Sequence, residues 1–164
     1  MTDNRLVSLE DWTEAECRIA QKMFEKFGYV HPTFFTENAD GRRAGVVLPN
    51  WGGNKELAIA VLRAKFKAEG ILRYVSFSEA WMVTRKPDEP LPSDLSNQPD
   101  RMEIIMVHSE ELGAPPLLGY AEVKRPTDGK PTFDLPTFRR DPHSTGRMTR
   151  LLGEEAPIPQ AQQN

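Results

Sequence analysis

Prolines decide where regular structure can run in this chain. Four of them, Pro87, Pro90, Pro92 and Pro99, fall in the acidic stretch KPDEPLPSDLSNQPD from Lys86 to Asp100. Six more, Pro126, Pro131, Pro136, Pro142, Pro157 and Pro159, are spread through Pro126–Asn164. Proline lacks an N–H and fixes φ, so neither stretch can continue a helix or a central strand. The first reads as a long exposed loop. The second reads as an extended arm, partly disordered, that ends in the polar run PIPQAQQN. Residues 1–125 are therefore expected to hold a compact domain, ordered from about residue 8, with 126–164 as its arm.

A length of 164 residues suits one such domain. With 38% hydrophobic and 27% charged residues the chain falls in the globular class, which excludes a wholly disordered protein or a coiled coil. No apolar run approaches the roughly 20 residues of a membrane-spanning helix. Met1–Arg5 lacks the basic-then-apolar pattern of a secretory signal. The single cysteine, Cys17, has no internal disulfide partner, and a cytoplasmic location is the expectation. A pI near 5.7 excludes nucleic-acid binding through overall charge.

Hydrophobic periodicity fills in the domain. Trp12, Ala15, Ile19, Met23 and Phe27 recur at three- or four-residue spacing, predicting a helix over Leu9–Phe27 with its core stripe on those positions. Ser8 with Asp11, or Thr13 with Glu16, can cap its start, and Gly28 can end it. Two strands, Tyr29–Thr36 and Arg43–Leu48, flank the turn Asn38-Ala39-Asp40-Gly41. Asn54 caps a second helix, Lys55–Glu69, whose apolar residues cover more than one stripe and predict burial on several sides. Three further strands are expected at Ile71–Thr84, Met102–His108 and Leu117–Arg125. In the first, Val75, Phe77, Glu79, Trp81 and Val83 share one face, and Tyr74, Ser76, Ser78, Ala80 and Met82 share the other. The small residues of that second face suit a closely packed helix. The order α-β-β-α-β-β-β gives an α+β fold, an antiparallel sheet of about five strands covered by two helices.

Few residues carry a chemical signature. Pro99-Asp100 followed by Glu122-Val123-Lys124 resembles the PD-(D/E)xK pattern of metal-dependent nucleases. The resemblance implies Asp100 and Glu122 as acids for Mg²⁺ or Mn²⁺ and Lys124 as the catalytic lysine. On the residues alone, an exposed strand face also reads Glu-x-Lys. If His108 stands opposite Leu117, Glu103 faces Glu122, a like-charge pair that a basic side chain or a cation would have to relieve. Asp100, Glu103 and Glu122 are thus the candidate metal-binding acids, although no metal or other cofactor is expected outside the nuclease reading. Glu79 on an apolar face needs a partner. Gly52, Gly53 and Asn54, ahead of the second helix, offer free amides to a small anion or phosphate. His31, His108 and His143 show no metal-ligand spacing, and Cys17 reads as a packing residue.

The arm completes the list. Between Lys124 and Arg150 seven basic residues stand against three acids, with Phe133, Phe138, Leu151 and Leu152 spaced among them. Such an arm suits a sheet edge or a partner's groove, and its basic balance suits phosphate contact with nucleic acid. Phe133, Phe138, Arg139, Arg140, Leu151 and Leu152 are the candidate binding residues. These features together predict a non-catalytic protein–protein interaction or assembly module that binds a protein partner or a second copy of itself. The metal-dependent nuclease is the first alternative and the anion-binding module the second.

Overall fold

The computed structural model describes residues 7–48, 53–143 and 151–152. It is an α+β fold built on an antiparallel sheet. Helix α1 runs over Leu9–Phe27. Ser8 opens it, its side chain accepting from the Asp11 N–H at 3.0 Å, and Gly28 closes it at φ 78°. The hairpin follows as β1, Thr33–Asn38, and β2, Arg43–Val47. Its turn is held by Asn38 Oδ1, which accepts from the N–H groups of Asp40 and Arg42, with Gly41 at φ 75°. β1 begins after Pro32 rather than at Tyr29, as proline's missing donor requires.

Helix α2 spans Lys55–Ala68. Strands β3 (Ile71–Met82), β4 (Met102–Glu111) and β5 (Leu117–Lys124) form the rest of the main ladder, in the order β2-β1-β3-β4-β5. The residues from Lys86 to Asp100 hold no helix or strand. Two short strands from the arm, β6 (Thr132–Phe133) and β7 (Arg139–Arg140), both pair with β5. The sheet therefore has seven strands rather than about five. The two additions escaped the periodicity argument because two residues have no period to read. Among the described residues no helix is long and apolar enough to cross a membrane.

The register sorts the side chains into two faces. Thr33, Phe35, Val75, Phe77, Ile105, Val107 and Ala121 lie under α1 with Leu9, Trp12, Cys17, Ala20 and Phe24. The core stripe of α1 is thus not the expected one: Ala15, Ile19, Met23 and Phe27 are exposed and only Trp12 of that set is buried. Thr13 is buried in its place, its hydroxyl donating to the Leu9 carbonyl at 2.6 Å and meeting Ser109 Oγ at 2.8 Å. Small residues at positions 13, 17 and 20 let the helix approach the sheet, and a satisfied hydroxyl can be buried where periodicity counts it as polar.

The opposite face carries a second cluster of Phe34, Ile59, Leu62, Phe66, Ile71, Tyr74 and Leu151. Here α2 sits at one end, over Ile71 and Tyr74, and not over the small residues Ser78 and Ala80. It is buried along one stripe only; Leu57 and Val61 are each 60% exposed, against the burial expected on several sides. Removing a side chain such as Phe34 or Phe66 from water contributes about 1.5–3 kcal/mol. One stripe against that end of the sheet is therefore enough to hold a capped helix.

Candidate functional site

Two of the candidate acids, Asp100 and Glu103, are held in ion pairs. Asp100 accepts from both terminal nitrogens of Arg85, at 2.5 and 3.2 Å, and the Arg85 hydrogen bond holds its carboxyl below the usual range. Lys124 reaches Asp134 of the arm at 2.5 Å, which raises its pKa. β4 and β5 pair with His108 opposite Leu118, one residue away from the register that opposed Glu103 to Glu122. A one-residue shift moves every side chain to the other face. Glu122 consequently stands beside Ile104 and is exposed, while Glu103 lies on the opposite face, paired with Arg125 at 2.5 Å. Among the described residues no group of three His, Cys, Asp or Glu side chains could hold a metal ion.

The remaining polar candidates lie among local polar neighbours. Glu79 is exposed and accepts from the Val30 N–H at 2.8 Å, tying the α1–β1 connection to β3. Gly52 lies outside the described residues. The Asn54 side chain accepts from the Leu57 N–H and so occupies one of the amides an anion would need. His108 is buried between Tyr74 Oη at 3.2 Å and Glu110 at 3.3 Å. Cys17 packs in the core under α1, where burial, with Glu16 and Glu14 adding to it, pushes the thiol up to about 12.

The arm residues chosen as partner anchors belong mostly to the domain itself. Phe133 is fully buried and meets Phe24 edge-on at 5.5 Å. Phe138 packs on the same core, Leu135 with it. Arg140 bonds Glu10 of α1 and the Pro115 carbonyl, and Arg139 is exposed beside Asp141. Leu151 is buried in the α2 cluster, its N–H donating to Glu110 at 3.0 Å, and Leu152 packs alongside. A boundary at 125/126 would cut through both hydrophobic clusters.

Three residues of the expected core stripe, Ile19, Met23 and Phe27, are instead on the surface. Ile19, Met23, Phe27, Tyr29 and Val47 are between 48% and 53% exposed and line an apolar pocket of about 170 Å³ floored by Phe35 and Phe77. It forms because α1 packs on β3, β4 and β6 more closely than on the β1–β2 hairpin. The signal was present as the stripe Ile19–Met23–Phe27; its missing partner was not. A second hollow of about 340 Å³ lies by Ser8, Glu37, Arg73 and Glu111. There Arg73 is bound by Glu37, and the guanidinium groups of Arg43 and Arg73 both stack on Trp12, at 4.9 and 5.1 Å.

No protein-family model, curated protein or solved structure matches the chain.

Proposed function

We propose that this protein is a non-catalytic interaction module that binds a protein partner through the groove between α1 and the β1–β2 hairpin. The observation that carries the reading is the groove itself. Five large apolar side chains are left about half-exposed side by side, although the same helix buries a full stripe elsewhere. Contiguous apolar surface of this kind marks contact sites in folded proteins, because water is the poorer neighbour. The groove runs beside β2, whose outer edge no described residue pairs, so a partner meets apolar side chains and backbone groups together.

The test places a photo-crosslinking phenylalanine analogue at Phe27 in the full-length chain, expressed in the cell that encodes it. A discrete adduct is expected, and it should disappear when Met23→Glu is added. The same analogue at Leu91, in the exposed loop, should give none. Adducts that are absent at Phe27, or that form equally at Leu91, would remove the reading.

A further inference from the structure

The two hydrogen bonds that close the β1–β2 hairpin fix which way every β2 backbone group points. Arg42 accepts from the Asn38 N–H at 3.0 Å, and Leu48 donates to the Pro32 carbonyl at 2.8 Å. Even-numbered residues of β2 therefore face β1. Antiparallel strands alternate, so Arg43, Gly45 and Val47 direct their N–H and C=O groups outward. Among the described residues nothing pairs with that edge.

Edge strands are ordinarily guarded by charge, proline or a bulge. Of these guards β2 has one charge and nothing else. It contains no proline, and its register with β1 is unbroken from Thr33↔Val47 to Glu37↔Arg43. Its one charge, Arg43, is neutralised by Glu37 at 2.6 Å and stacked on Trp12. The outward-facing residues are also those whose side chains lie on the groove side of the sheet, where Val47 lines the pocket.

Resting on the groove reading above, we propose that the partner is a second copy of this chain, joined by antiparallel pairing of β2 with β2 about a two-fold axis at Gly45. The strand is self-complementary in that register. Gly45 meets Gly45, each exchanging two hydrogen bonds, and Arg43 meets Val47 of the second copy, so no like charges oppose. A two-fold axis normal to the sheet keeps both α1 helices on one side, and the two grooves adjoin above a continuous sheet. Val47 of each copy, which lines its own groove, then lies beside Arg43 of the other at the seam.

The test is sedimentation of the full-length chain over a range of concentrations, beside variants that change only the edge. The natural chain should pass from monomer to dimer as concentration rises. Gly45→Pro deletes an outward N–H in each copy and leaves the bonds to β1 intact, so the dimer should weaken about tenfold. Val47→Lys and Val47→Glu test the register without proline. Lysine would oppose Arg43 of the second copy and glutamate would pair with it, so the glutamate variant should dimerise several-fold more tightly than the lysine variant. If Gly45→Pro does not fold, the Val47 pair decides. A chain that stays monomeric throughout would overturn the proposal. So would a dimer indifferent to Gly45→Pro, or equal behaviour of the two Val47 variants. A Phe27 adduct with a different protein, on a chain that stays monomeric, would end this proposal and leave the groove reading standing; loss of the adduct would end that reading.

Discussion

The two edges of the sheet are treated oppositely. At β5 the arm returns twice, pairing Thr132–Phe133 at one end of the strand and Arg139–Arg140 at the other, with Phe133 sunk into the core. At β2 no described residue pairs with the outer edge, and apolar side chains stand exposed beside it. The arm's prolines do not bar it from the sheet. They limit it to short pairings, and side-chain burial supplies the rest. One edge is therefore closed by the chain itself, and the other is open among the described residues.

The largest expected effect lies at the closed edge. Truncation after Asp128 removes Phe133 and Leu151, one buried side chain from each cluster, and should abolish cooperative unfolding rather than release a free arm. Phe133→Ala alone should cost about 3–5 kcal/mol, read from chemical denaturation, because it opens a cavity against Phe24. Near-neutral behaviour of either variant would break the contrast by making the arm an ornament.

Two glycines sharpen it. A Cβ on Gly119 of β5 would stand 2.7 Å from Phe138 Cδ1 and 3.0 Å from the Thr137 carbonyl, so the arm must shift to admit it. Gly119→Ala should destabilise the fold by about 1–3 kcal/mol. A Cβ on Gly45 of β2 meets only the Phe35 ring, at 3.6 and 3.8 Å, an ordinary contact. Gly45→Ala should be neutral or stabilising by about 0.4–1 kcal/mol, since alanine restricts the unfolded chain more than glycine does. Equal losses at both positions would mean that the two edges are packed alike.

Acid should find the hairpin corner next. Burial pushes the Glu37 carboxyl up, but hydrogen bonds from Arg73 and Arg43 outweigh it and hold the pKa below the ordinary 4.5. With the folded pKa depressed, the unfolded chain takes up the proton first as pH falls. The stability Glu37 contributes is whole above about pH 4.5 and is lost progressively below it. Glu37→Gln should therefore lower stability at neutral pH and flatten the acid limb of a denaturation series. At the arm edge Glu10 is shifted the same way, burial being outweighed by its own backbone N–H and by Arg140. Its side chain is half-exposed, so Glu10→Gln should alter that limb less.

How far the sequence reveals this arrangement depends on the range of the interaction. Caps, turns and long alternating strands are local, and Ser8, Gly28, Asn54 and Ile71–Met82 show themselves in the residues alone. Which of two neighbouring stripes on α1 turns inward is not local. Ile19, Met23 and Phe27 are as periodic as Leu9, Trp12, Ala20 and Phe24, and only the sheet opposite decides between them. The β4–β5 register is equally non-local, and one residue of slip separates a like-charge pair from acids on opposite faces. Phe133 and Leu151 look like anchors in either reading, because an apolar side chain in a polar arm suits its own core as well as a partner's groove.

The smallest effect expected is that of a divalent cation. The β5 edge carries Glu122 and Lys124 in a pattern that resembles a nuclease motif, and Lys124 is bound to the arm through Asp134. A metal would need Asp100 and Glu122 to converge. Asp100 already gives both carboxylate oxygens to Arg85, and Glu103 is turned to the other face. Thermal unfolding with millimolar Mn²⁺ should therefore match unfolding without it, in the natural chain and in Glu122→Gln alike. A ligand that binds only the folded state must raise its midpoint. A rise lost in Glu122→Gln would show that Arg85 yields Asp100 to a cation, and the closed edge would then be a binding site in its own right rather than a seam between domain and arm.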